Sequence, residues 1–266
     1  MTRIEKKLAD LRNQGKKGFI AYITAGDPSL KATVEIVHRL EGVGVDFVEL
    51  GIPFSDPLAD GRVNQESATR ALAAGATLYG VLDRIAEIRK RSEIPLIAYT
   101  YMNPVFALGF DRVVRRAAAA GLDGLLVLDL PVEEQGGYAD ILKKNGLNNI
   151  CLVTPTSPNE RIKRIVKVGT GFVYCVSREG VTGMQKTLSS GATELVERTR
   201  RLTGLPVALG FGISTPETAR AAARAADAIV VGSGIVDRFH RAPHTAAGRV
   251  AAARWVDTLV KAAKDV

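Results

Sequence analysis

Two cysteines and three histidines in 266 residues leave little material for disulfide or metal chemistry. Cys151 and Cys175 both lie in apolar, strand-like runs, where buried free thiols are expected. His38, His240 and His244 are scattered, and no other ligand type accompanies the helically spaced pair 240/244, so no metal site is expected. Aromatic residues make up only 6% of the chain. Basic residues outnumber acidic ones, 36 to 28, yet form no dense run interleaved with aromatics. A nucleic-acid stripe is therefore not expected, and the net charge of +8 suits an anionic small substrate better. No apolar run approaches the roughly 18 residues of a membrane span. Residues 1–7 have no apolar segment behind them, so no secretory signal is expected and the cytoplasm is the default location. No lysine sits inside an apolar strand run and no histidine near a strand end, which argues against a Schiff base and a Ser-His-Asp arrangement. Acid–base chemistry by carboxylates remains, without a covalent intermediate or a cofactor in this chain.

What is present is alternation. Short apolar runs at 19–24, 47–50, 96–99, 124–128, 150–153, 172–176, 207–209 and 228–231 are eight strand candidates. Amphipathic, helix-like segments separate them, at 30–40, 78–89, 112–120, 133–144, 160–166, 193–202 and 216–225, with another at 246–263. Unbroken apolar strands imply burial on both faces, and the repeated strand–helix order implies a parallel sheet. Eight such units predict an α/β fold, a closed (β/α)8 TIM barrel forming one domain over 1–266. No linker divides the chain, and strand one ends without the glycine fingerprint of an open dinucleotide-binding sheet. Residues 2–14 read as an extra N-terminal helix, with Ile4, Leu8 and Leu11 on one face, placed to plug the barrel's N-terminal end.

The residues with chemistry follow the strands. Glu49 lies in the second apolar run and Asp60 on the loop after it, so one carboxylate is held rigidly and the other can swing. Burial would raise the Glu49 pKa toward neutrality and let it donate and accept a proton. Asp27, Asp56 and Asp129 also end or follow strands, where a helix cap is an equal reading. Gly210-Phe211-Gly212-Ile213-Ser214 and Gly232-Ser233-Gly234 follow the last two strands, where glycine-rich turns and helix N-termini suit a phosphate. The polar, glycine-spaced segment 177–185 reads as a lid. There Gly183 is placed to lend an N–H to the phosphate and Thr182 to hydrogen-bond a carboxylate across the mouth.

The string Glu49-Leu50-Gly51-Ile52-Pro53-Phe54-Ser55-Asp56-Pro57-Leu58-Ala59-Asp60-Gly61 closely resembles the signature of the tryptophan synthase alpha subunit family. In order along the chain, so do Tyr22-Ile23-Thr24-Ala25-Gly26-Asp27-Pro28, Asp129-Leu130-Pro131, Ser177-Arg178, Gly180-Val181-Thr182-Gly183, and the two glycine turns. The resemblance implies a lyase that splits indole-3-glycerol phosphate into indole and glyceraldehyde 3-phosphate by retro-aldol cleavage. It implies that Glu49 protonates indole C3, and that Glu49 or its partner then removes the hydroxyl proton. Asp60 would accept the indole N–H, and Thr182, in the lid with Arg178, would hold Asp60 on closure. Gly183, Gly212, Gly232 and Ser233 match phosphate contacts. Tyr22, Tyr101, Leu126 and Phe211 match the indole pocket, and Tyr174 a tyrosine close to the glutamate. The implied partner is a beta subunit using pyridoxal phosphate, in an αββα complex, with Asp56, Pro57 and Asn103 at the contact.

One departure is notable: Arg62-Val63-Asn64-Gln65 follows Gly61 where the family usually continues with proline. Arg62 is expected beside Asp60, lowering its pKa or pairing with it. Glu179 stands where a small residue is commoner, with little effect expected. A stand-alone lyase releasing free indole, and a phosphate-binding partner subunit without activity, are the alternatives; the presence of both Glu49 and Asp60 disfavours the second.

Overall fold

The computed structural model describes residues 1–176, 190–210 and 212–266. Nine strands are described: β1 (Gly18–Thr24), β2 (Phe47–Gly51), β3 (Leu96–Thr100), β4 (Gly124–Val127), β5 (Asn148–Asn149), β6 (Cys151–Val153), β7 (Val173–Val176), β8 (Val207–Gly210) and β9 (Ala228–Val231). Every pairing is parallel, in the order β5-β4-β3-β2-β1-β9-β8-β7-β6. The two ends of that order are one piece of chain, broken only at Ile150. β5 pairs with β4 and β6 with β7, so the ladder closes into the (β/α)8 barrel, with its fifth strand in two halves.

The expected helices are found, with ends shifted by a few residues. The segment 133–144 is instead a 3₁₀ turn (Val132–Glu134) followed by a helix from Gly136–Lys144. Two helices carry too little apolar periodicity to be read from sequence. Arg62–Ala73 buries only Ser67, Ala68 and Ala71, and Met102–Ala107 buries only Val105. Among the described residues no helix is long and apolar enough to cross a membrane.

Alternation along the strands divides the core in two. Outward residues such as Val48, Leu50 and Leu96 pack under the helices. Inward residues such as Ile20, Phe47, Ile97, Ile150 and Phe172 form a separate cluster. Ile4 and Leu11 of the helix Arg3–Asn13 join this inner cluster, so the helix plugs the barrel floor as its spacing predicts. Its N-terminus is closed by a capping box between Thr2 and Glu5.

Three aspartates at strand starts fix the same rim. Asp46, Asp123 and Asp227 each precede a strand and accept the backbone N–H of the neighbouring strand, from Phe19 at 2.9 Å, Leu96 at 2.8 Å and Val207 at 2.8 Å. Each is paired with a cation, respectively Lys264, Arg89 and Arg200. The sheet's register is thereby pinned at the floor, leaving the opposite, C-terminal mouth to the loops. Cys151 and Cys175 are buried free thiols on adjacent strands.

Candidate active site

Strand parity decides which side chains enter the barrel. Tyr22 and Glu49 are register partners on β1 and β2, and Glu49 is in turn partner to Ile97 on β3. Partners in a parallel ladder share a face, so Glu49 points inward between Tyr22 and Ile97. It is fully buried, and neither carboxylate oxygen has a hydrogen-bond partner among the described residues. Burial alone pushes its pKa up to about 8. Such a group is mostly neutral at pH 7, yet close enough to ionisation to act as acid and as base.

Asp60 is held differently. Tyr101 donates its hydroxyl to Oδ2 at 2.8 Å, while Tyr99 and the Asn64 amide each donate to Oδ1 at 3.3 Å. Burial raises the Asp60 pKa and these three donors oppose the rise. Tyr101 also accepts the Ala59 N–H at 3.0 Å, tying the loop to the end of β3. Arg62 is not part of this arrangement. Its side chain is 90% exposed and pairs with Glu66, one helical turn on, at 2.7 Å. Its exposure and its pairing within its own helix correct the expectation of a cation on Asp60.

Aromatic rings line the space around the two carboxylates. Tyr22 and Tyr99 meet edge to face, with ring centroids 4.9 Å apart, and Phe54 lies 5.4 Å from Tyr101. Tyr174, on β7, is half-buried, with Glu49, Asp60 and Tyr22 near it. Its phenol is held well above the usual range, first by burial and then by those neighbours. Two glycines make room for these rings. A Cβ on Gly51 would stand 2.3 Å from the Tyr22 hydroxyl, and one on Gly210 2.4 Å from that of Tyr174. Leu126 is fully buried in the inner cluster, register partner of Tyr99, and so forms the floor beneath the mouth.

The two glycine turns lead into helices with different beginnings. Pro216–Ala225 is closed by its own capping box, Thr215 with Thr218. Ser233–Arg241 begins at Gly232 with no side-chain cap, so its first N–H groups lack a side-chain acceptor among the described residues. A Cβ on Gly212 would meet nothing within 4 Å, and one on Gly232 would make only ordinary contact with Tyr22. Neither glycine has a positive φ. Nothing among the described residues thus crowds a side chain at either position, and glycine there suits a ligand that approaches the backbone.

Arg178, Thr182, Gly183 and Phe211 lie outside the described residues. Asp27 pairs with Arg70 at 2.6 Å, and Asp129 accepts the Met102 N–H at 2.7 Å, so these two strand-end aspartates have structural partners. Asp56 and Asn103 are exposed and Pro57 is half-buried. Leu58 beside them is 90% exposed and Phe106 67% exposed. Sequence reasoning passed over Tyr99, Asn64, Leu58 and Phe106. Only Tyr99 carried a signal, sharing strand parity with Ile97. A cavity of about 140 Å³ lies elsewhere, bounded by β4, β6 and the helix Asn159–Val168, and none of the expected site residues lines it.

The fold and this mouth define a (β/α)8 barrel with paired carboxylates at the C-terminal ends of its strands, an arrangement typical of barrel enzymes. The family model described as "Tryptophan synthase alpha chain" matches residues 8–264. The chain is 45% identical to the tryptophan synthase alpha chain of Geotalea daltonii over 241 residues, 91% of each chain. It is 47% identical to that of Opitutus terrae over 237 residues, 89% of each. The crystal structure of tryptophan synthase subunit alpha from Legionella pneumophila superimposes with a TM-score of 0.92 at 34% identity, covering 100% of both chains. This chain belongs to the tryptophan synthase alpha chain family.

Proposed function

We propose that this chain cleaves indole-3-glycerol phosphate to indole and glyceraldehyde 3-phosphate, with Glu49 as the acid–base group and Asp60 as the electrostatic partner of the indole nitrogen. The observation that carries this reading is the contrast between the two carboxylates. Glu49, without a donor among the described residues and pushed to about 8, enters the reaction as a neutral acid. It gives its proton to indole C3, leaving positive charge on the ring. Asp60, kept toward its anionic form by three donors, accepts the ring N–H and stabilises that charge. The Glu49 carboxylate then takes the proton from the hydroxyl on the side-chain carbon attached to the ring. The bond from that carbon to C3 breaks, its electrons return to the ring, and an aldehyde forms. Glu49 ends protonated, as it began, and no water is consumed.

The phosphate is assigned to the turns at Gly212, Gly232 and Ser233. The uncapped N-terminus of Ser233–Arg241 and the space beside Gly212 support this. An anchor there supplies binding energy far from the reacting carbon, which positions it. Tyr22, Tyr101, Tyr174 and Leu126 are assigned to the indole end, together with Phe211; Gly183 and the lid residues Arg178 and Thr182 complete the site by resemblance. Residues 1–266 act as one domain in this reading.

The exposed Leu58 and Phe106, next to Asp56, Pro57 and Asn103, are assigned to contact with a beta subunit that carries pyridoxal phosphate, in a cytoplasmic αββα complex. The test is indole release from indole-3-glycerol phosphate by the purified chain, alone and with a beta subunit, beside Glu49→Gln. Slow release alone, activation by the partner and loss in the variant are expected. Fast release without a partner would favour a stand-alone lyase, and no release in either condition would refute the reaction.

A further inference from the structure

Tyr99 is one of the three donors to Asp60, its hydroxyl lying 3.3 Å from Oδ1. We propose that Tyr99 is a positioning residue for the cleavage. With Tyr101 it clamps the Asp60 carboxylate so that one acceptor position stays open for the single N–H of the indole ring. This rests on the assignment of Asp60 to the indole nitrogen.

The loop carrying Asp60 has few anchors of its own. Leu58 is almost wholly exposed, and the local bonds are short-range turns such as Asp60 N–H to the Pro57 carbonyl at 3.0 Å. Its attachment to the barrel comes from the end of β3. Tyr99 and Tyr101 stand two residues apart, so both face the mouth, and each reaches a different oxygen of the same carboxylate. The strand thereby imposes its geometry on a loop residue.

The count of acceptor positions gives the clamp its consequence. A carboxylate offers about four. Tyr99 and Asn64 take two on Oδ1, and Tyr101 takes one on Oδ2. The remaining position on Oδ2 matches a ligand with one N–H. The two phenols also favour the anion, the form that accepts this N–H and stabilises a ring cation.

The two tyrosines are separable. Tyr101 also accepts the Ala59 N–H, so deleting its hydroxyl loosens the loop as well as the carboxylate. Among the described residues the Tyr99 hydroxyl has Asp60 as its hydrogen-bond partner, while its ring is held edge-on by Tyr22. Tyr99→Phe therefore removes the clamp and keeps the packing.

The experiment compares wild type, Tyr99→Phe, Tyr99→Leu, Asp60→Asn and the Tyr99→Phe/Asp60→Asn double variant. Indole release is followed against pH, and binding of a non-cleavable indole-alkyl phosphate by calorimetry. Tyr99→Phe is expected to unfold like wild type and to lose about 3- to 10-fold in kcat/KM, mostly in kcat. Its acidic limb should move up by about half a pH unit, because a donor to the carboxylate has gone. In the Asp60→Asn background it should not change analogue affinity further. A wild-type kcat and acidic limb in Tyr99→Phe, with Asp60→Asn inactive, would overturn the clamp alone. So would the same fold-loss of affinity with and without Asp60. A large KM effect in Tyr99→Leu with a wild-type Tyr99→Phe would reduce Tyr99 to a wall and overturn it equally. Full activity in Asp60→Asn would overturn both the clamp and the role of Asp60.

Discussion

Replacing Glu49 by glutamine should stabilise the ligand-free protein, and by an amount that grows with pH. The unburied side chain ionises at 4.5 and the buried one at about 8. Between those values the folded state keeps a proton that the unfolded state has released. The native state binds more protons there, so stability falls as pH rises. Below 4.5 both states are neutral and the group costs nothing; above about 8 the cost is complete. One pKa unit is worth about 1.4 kcal/mol, so the full cost is about 5 kcal/mol, and about 3 kcal/mol of it develops between about pH 5.5 and 8. Glutamine keeps the shape and loses the titration. Every other group titrates alike in both proteins, and any unmet amide hydrogen bond adds an offset that does not vary with pH. The assay is urea unfolding followed through the single tryptophan, Trp255, at intervals across that range. The difference in stability, variant minus wild type, should climb by about 3 kcal/mol as indole release is lost. A flat difference would refute a pKa raised by burial. A difference that shrinks with pH would reveal a cation at Glu49 and reverse the assignment of the acid.

Gly51→Ala puts a methyl 2.3 Å from the buried Tyr22 hydroxyl, so the ring must shift; a destabilisation of about 1–3 kcal/mol in urea unfolding and a fall in indole release are expected. Ile4→Ala empties a fully buried position of the floor plug and should cost about 2–5 kcal/mol in urea unfolding, with kcat measured at 25 °C unchanged because the mouth lies at the other end of the barrel. Arg62→Pro restores a preset helix start at an exposed position that does not touch Asp60, so turnover and its pH profile should match wild type; a displaced acidic limb would return Arg62 to the site.

The barrel was legible because its strands are apolar on both faces and its helices amphipathic. Even the plug showed, through Ile4, Leu8 and Leu11. The helix Arg62–Ala73 was not, since an alanine and serine stripe against a barrel buries the same face without a hydrophobic signal. The break at Ile150 escaped for a related reason. The apolar run 150–153 marks only the half that pairs with β7, and the half that pairs with β4 is two buried asparagines. Asn149 satisfies its side chain on Gln135 and the Val168 carbonyl, contacts distant in sequence. The candidate site divides the same way. Glu49 is conspicuous because a carboxylate interrupts an apolar strand. The Arg62 expectation failed because adjacency in sequence is not adjacency in space at a helix start. The first turn carries residue 62 outward toward residue 66. Tyr99 was hidden inside a run read only for its hydrophobicity.

Two carboxylates less than a dozen residues apart have been given opposite surroundings, and strand parity is what separates them. Glu49 is locked on β2 between register partners Tyr22 and Ile97, and among the described residues no donor reaches its carboxylate. Burial without donors is the condition that favours the neutral acid. Asp60 sits on a loop free to approach the end of β3, where two tyrosines and an amide meet it. Burial with donors is the condition that keeps a carboxylate available as an anion. Exchanging the two residues would therefore not exchange their chemistry. A glutamate at position 60 would still meet the donors at the end of β3, and an aspartate at position 49 would still lie in a buried site without a donor among the described residues. The division of labour belongs to the barrel's geometry, and a retro-aldol cleavage needs both halves of it, since a proton must be given at carbon while charge is held at nitrogen.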